Sequence, residues 1–188
     1  MLEHMRGMFG PVATRFAVEA IGGGDGDGLH QQRTVGFLVE RYVAHRQHWV
    51  GGDPNPGSAF TVSEDGTYIV RPGYYFYKQI TRAGQPGMKV AEASAMDSEM
   101  PVIAFASNGT GNPDAFIVTN ISKSAQRIAV RIEGTPVTSF EAYRTTKLPG
   151  SDLDDIQEKY HYLGNMEVKN GVLVYDAPAG SVTTFFGK

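Results

Sequence analysis

"RPGYYFYKQITRAGQPGM", residues 71–88, is where the chain changes its periodicity. Pro72 suits a first helical turn, where its missing N–H costs nothing, and Gly84 suits a left-handed residue that closes a helix. Pro86 prevents continuation. Phe76, Ile80 and Ala83 fall on one stripe, with Tyr77 beside it. Successive helical residues are rotated by about 100°, so Tyr74, Tyr75, Phe76 and Tyr77 cannot all share a face. The block reads as the packed face of a docking helix, not as an aromatic platform for a ligand.

From Met88 onward the pattern alternates with period two. "KVAEAS", "VIAFAS", "DAFIVTNI", "RIAVRIE", "SFEAYRT", "MEVK", "VLVYDA" and "SVTTFF" read as strands. They are divided by "NGTGNP" at 108–113, "SKSAQ" at 122–126, "GTP" at 134–136 and "NG" at 170–171. Asn-Gly is a strong hairpin signal, because both residues tolerate positive φ. About eight short strands at close spacing predict an antiparallel β-sandwich, so the fold class is mainly β. "KLPGSDLDDIQEKYHYLGN", residues 147–165, is too long and acidic for a hairpin loop and is expected to carry a helical turn and a surface site.

Upstream, "AFTVSEDGTYIV" predicts a hairpin turning at Glu64, Asp65 and Gly66, and "GGDPNPG", 51–57, is a loop. In "RTVGFLVERYVAHRQHW", Val35, Leu38, Val39, Tyr42, Arg46 and Trp49 recur at helical steps. "PVATRFAVEAIGGG" reads as a shorter helix, with Pro11 at its start and Gly22 as its stop. The expected organisation is a short helical N-terminal segment and loop at 1–57, remnant or vector-derived. A hairpin and docking helix follow at 58–86, and the sandwich at 87–188.

The 188 residues suffice for one domain, and 41% apolar with 20% charged residues is ordinary globular composition. A net charge of −3 and a pI near 5.9 oppose nucleic-acid binding, which calls for a basic face. No apolar run approaches the length of a membrane span, so no membrane is expected as partner. There is no cysteine. The start, "MLEHMRGM", lacks an apolar h-region and reads as vector residues before an internal start, not as a signal peptide.

No nucleophile elbow, phosphate loop or paired-histidine motif is present. "GGGDGDG", 22–28, opens like a calcium loop but lacks the closing Glu. Asp152, Asp154, Asp155 and Glu158 read better as a solvated helix start. His30, His45, His48 and His161 share no ligand spacing. No metal and no cofactor are expected.

Sugar rings stack their C–H faces on Trp or Tyr, and their hydroxyls need polar groups nearby. Trp49 precedes a polar loop holding Asp53 and Asn55, although it also completes a helix face. Tyr160 and Tyr162 follow Asp155 and would face the same way in an extended segment. These six are the candidate carbohydrate contacts. Tyr143 and Tyr175 lie inside strands and are expected to support the fold.

Three pieces together resemble the C-terminal region of glycoside hydrolase family 30-like enzymes, the glucosylceramidase, xylanase and galactanase group. They are "WVGGDPNPGSAF" with "EDGTYIVRPGYYFYKQITRAGQPGM", the body "FIVTNISKSAQRIAVRI" with "SFEAYRTT", and the ending "APAGSVTTFFG". The resemblance spans residues 49–188. It implies that the tyrosine-rich segment is the last helix of a (β/α)₈ barrel, leading into a side β-sandwich. A barrel takes about 250 residues, and far fewer precede the sandwich. The family's two catalytic glutamates therefore have no counterpart, and Glu19 and Glu40 receive no role. The expectation is a non-catalytic carbohydrate-binding or ancillary module, derived from a secreted bacterial hydrolase, that binds plant or microbial polysaccharide. The alternative is a structural fragment with no ligand. If Phe76, Tyr77 and Ile80 have lost a barrel to pack on, the helix at 72–83 would promote homo-oligomers or be covered by the segment around Leu38 and Tyr42.

Overall fold

The computed structural model describes residues 15–20, 59–62, 65–148 and 155–188. Eleven strands and one helix are found there. They are β1 (Arg15–Ala20), β2 (Phe60–Val62), β3 (Tyr68–Val70), α1 (Gly73–Ala83), β4 (Lys89–Ala95), β5 (Val102–Ala106) and β6 (Ala115–Asn120). β7 (Gln126–Glu133), β8 (Ser139–Lys147), β9 (Ile156–Glu167), β10 (Val172–Ala177) and β11 (Ser181–Gly187) complete the chain.

Nine strands run in the order β10-β7-β1-β4-β5-β6-β11-β8-β9. Every pairing is antiparallel except β1 with β4. The sheet doubles back on itself. Ile128, Val130 and Ile132 of β7 and Leu173 and Tyr175 of β10 share one buried cluster with Val102, Phe116, Val118, Phe140 and Phe185 of the opposite layer. Within it Phe116 stacks on Phe185, centroids 4.4 Å apart, and Tyr175 meets Phe185 edge-on at 5.2 Å. This is the β-sandwich that the alternation predicts. On β7 the inward residues alternate with exposed Arg127, Arg131 and Glu133, as a sheet with one solvated face requires.

β6 is buried along its whole length. Its other face, with Ala115 and Ile117, packs with Val182 and Ile156 against Phe76, Ile80 and Ala83 of α1. The helix stripe packs on the protein's own sandwich, which buries Phe76 and Ala83 and partly covers Ile80. Gln79 lies on the same face. Its Nε2 donates to Thr145 Oγ1 at 2.9 Å, and Thr184 Oγ1 donates to its Oε1 at 2.6 Å.

Three local expectations need correction. Residues 15–20, read as part of a helix, form strand β1 between β7 and β4. Six residues of mixed apolar character fit either period, and the neighbours in space decide. Residues 156–165, read as loop and helical turn, belong to the long edge strand β9, whose end takes in the first residues of the "MEVK" run. Its outer positions are solvent-exposed, so polar residues there cost nothing. Gly84 closes α1 in an extended conformation, φ −98°, not a left-handed one. Its lack of a side chain answers a close approach instead, because a Cβ there would meet the Phe105 ring at 2.7 Å. The β2–β3 hairpin stands as read, paired from Phe60 with Val70 to Val62 with Tyr68. Asn170 and Gly171 take φ of 53° and 75°, closing a turn between Lys169 and Val172.

Candidate functional site

β8 and β9 bring three tyrosines together. Tyr143 lies opposite Tyr162, Arg144 opposite His161, and Thr146 opposite Glu158, so β9 carries one extra residue in this stretch. That is a β-bulge, and Tyr160 sits in it with a positive φ of 57°. The Tyr160 N–H donates to Thr145 Oγ1 at 3.2 Å. Tyr143 stacks on Tyr160 with centroids 4.8 Å apart and planes 16° apart, while Tyr162 leans on Tyr143 at 5.2 Å and 42°. Phe186 of β11 meets Tyr143 edge-on at 5.9 Å.

α1 supplies the charge. Lys78 places its Nζ 4.2 Å from the Tyr160 centroid, a cation–π contact. One turn later Arg82 lines a pocket of about 350 Å³ with Tyr143, Tyr160 and Phe186. The α1–β4 turn adds Gln85 and Met88 to its walls, the β5–β6 loop adds Asn112 and Pro113, and β8 adds Glu141. Lys188 holds Glu141 in an ion pair of 2.6 Å, and this hydrogen bond raises the Lys188 ammonium above its ordinary value. Burial raises the Tyr160 hydroxyl, against the opposing pull of Arg82. Burial also raises Tyr143, reinforced by the Glu141 charge.

Of the residues picked from sequence, Tyr160 and Tyr162 meet around Tyr143, while Asp155 stands exposed just before β9 and does not line the pocket. Trp49, Asp53 and Asn55 lie outside the described residues, as do the stretch 22–28 and Asp152 and Asp154. Glu158, the last of the acidic run, has a different occupation. Both its carboxylate oxygens accept from Arg144, at 2.5 and 2.7 Å, and Thr146 also donates to it at 3.0 Å. Among the described residues no group of three or more His, Asp or Glu is placed to hold a metal ion. Tyr175 supports the fold as expected, its hydroxyl 2.7 Å from Thr183 Oγ1 inside the sandwich. Tyr143 does not: it is half-buried and lines the pocket. Strand position alone suggested core, and only its pairing with an edge strand reveals the partial exposure. Lys78, Arg82 and Glu141 carried no signal beyond a charge at an amphipathic position.

No family model matches the chain, and no curated protein matches it. Solved structures do. A GH30 endoxylanase from Clostridium papyrosolvens C71 aligns with 68% of this chain and 30% of its own, at 20% identity and a TM-score of 0.54. A GH51 arabinofuranosidase from Xanthomonas axonopodis pv. citri aligns with 70% of this chain and 29% of its own, at 12% identity and a TM-score of 0.51. The fold is one carried by glycoside hydrolases. The resemblance to the GH30-like C-terminal region therefore holds at the level of fold. The protein spans less than a third of the length of either enzyme.

Proposed function

We propose that this protein is a non-catalytic module, derived from a glycoside hydrolase, that binds polysaccharide on Tyr162 and the pocket beside it. The observation that carries this reading is Tyr162, 47% exposed, leaning on Tyr143, which lines a pocket that mixes aromatic walls with hydrogen-bonding groups. A sugar face stacks on the open ring, and its hydroxyls reach Asn112, Arg82 and Glu141, which offer acceptors and donors together. Hydroxyls exchange water for protein at little net gain, so stacking supplies most of the affinity. The dissociation constant is expected in the millimolar to micromolar range, about 4 to 8 kcal/mol. Hydrolysis requires two carboxyl groups flanking the bond, and the pocket's carboxylate, Glu141, is held by Lys188. Trp49, with Asp53 and Asn55, is proposed as a further aromatic contact.

A second reading, a structural piece with no ligand, is favoured by one fact. The Tyr160 ring is already engaged by Tyr143 and Lys78. Affinity electrophoresis against xylan, cellulose, β-glucan, galactan and pectin separates the two. Tyr162→Ala should weaken retardation at least fivefold with an unchanged melting temperature, and Trp49→Ala tests the second contact. Retention unaltered in both variants would place the site elsewhere, and no retention of the parent protein on any polysaccharide would leave the structural reading.

A further inference from the structure

We infer that the pocket selects a carboxylate-bearing saccharide, with Arg82 as the contact for the carboxylate; this rests on the glycan-binding reading above. The first ground is charge. In a chain of net charge −3, the charged groups lining this pocket are Arg82 and Glu141, with Lys188 paired to Glu141 and Lys78 over the Tyr160 ring. Lys188 neutralises Glu141, so two cations from successive turns of α1 remain beside the Tyr160 ring. Neither is in an ion pair among the described residues.

The second ground is that Arg82 is not needed to satisfy the end of α1. A basic residue in a last helical turn ordinarily serves the exposed carbonyls there. Here Gln85 Nε2 already donates to the carbonyls of Thr81 and Arg82, at 2.5 and 3.3 Å, and the Gly84 N–H donates to that of Ile80 at 3.0 Å. The guanidinium stands exposed at the pocket wall, where it also hydrogen-bonds the Tyr160 hydroxyl. Its planar fork matches a carboxylate in two parallel hydrogen bonds, which a neutral hydroxyl cannot reproduce. Phe186 and Met88 offer apolar surface to the ring that bears the carboxylate. The volume, about 350 Å³, lies at the small end of ligand pockets and suits one saccharide unit.

Calorimetry with galacturonate and glucuronate oligomers, each beside its own methyl ester, tests this, because esterification removes the charge and keeps the ring. The free acid should bind about tenfold tighter than its ester, as a charge-assisted pair implies. That preference should shrink with added salt and vanish in Arg82→Gln, whose melting temperature stays unchanged because the side chain is exposed. Arg82→Lys should keep part of it. Equal binding of acid and ester, or a preference that survives Arg82→Gln, overturns the inference and leaves the glycan-binding reading standing. Binding confined to neutral polysaccharides does the same. Failure of every acidic, esterified and neutral glycan to bind removes both.

Discussion

Gln79 shows how one residue decides the seating of a helix. It is fully buried, and its amide satisfies two sheet hydroxyls, Thr145 and Thr184, while Thr184 Oγ1 also reaches the Gln79 carbonyl at 3.1 Å. Truncation would break both amide hydrogen bonds in a buried interface, where each is worth about 0.5 to 1.5 kcal/mol, and more where the hydroxyl cannot turn wholly to its other partner. Gln79→Ala is therefore expected to lose about 1 to 3 kcal/mol in urea unfolding, and Gln79→Met, though similar in volume, to recover little of it. Nothing local marks this residue, since a glutamine beside Phe76 reads as solvent-facing and its partners lie 66 and 105 residues away. Glu158 makes a pH prediction. Its hydrogen bonds from Arg144 hold its carboxyl below the ordinary glutamate range, against burial, with Thr146 assisting. A depressed carboxylate contributes stability that is full above the unfolded-state value, about 4.3, and is lost as pH falls through the lower folded-state value. Glu158→Gln should be less stable than the parent at pH 7, with the difference closing below pH 4 in thermal melts.

Among the elements, seven of the eight strands expected between residues 89 and 186 are present as strands of their own, because alternation of apolar and polar residues is a local signal, and the eighth, "MEVK", is the tail of β9. The two misread segments fail for opposite reasons. β1 is too short to display a period, and its strand state is imposed by β4 and β7. β9 is an edge strand with a bulge, so its face pattern slips at Tyr160, and its acidic approach disguises it as a helix start. At that bulge two effects of similar size oppose each other. A left-handed backbone costs a tyrosine about 1 to 2 kcal/mol, whereas stacking on Tyr143 and the Lys78 contact return about as much. Tyr160→Asn removes both, since asparagine tolerates positive φ. Its unfolding free energy is expected to stay within about 1 kcal/mol of the parent, although the pocket loses a wall. A larger loss would show that the ring contacts outweigh the strain. Period two singled out Tyr160 and Tyr162, but not the bulge that seats Tyr160, and it gave no sign of Tyr143 or the cations, which come from separate elements.

For the molecule as a whole, the decisive feature is that β1 lies inside the sheet, in register with six residues of β7 and four of β4. A sandwich beginning at residue 87 is therefore incomplete, and the N-terminal segment read as a remnant supplies an interior strand. A protein comprising residues 59–188 should expose two unpaired strand edges where β1 belongs, and such edges recruit other chains. It is expected to unfold with lower cooperativity than the full chain and to aggregate in sedimentation runs. A monomeric fragment with the full chain's urea midpoint would show that β1 contributes nothing.

The same strand sets a timetable. β1 leaves the ribosome before any of its neighbours exists, and β7, its longer partner, follows after more than half the chain has been made. Contacts so distant along the chain are slow to form, since loop entropy is lost before they repay it. During that wait β1 offers both of its own edges to any other nascent chain nearby. The yield of native protein should thus depend on how crowded the chains are while they fold: refolding from urea at rising concentration should divert material into aggregates, even though the finished sheet has those edges closed.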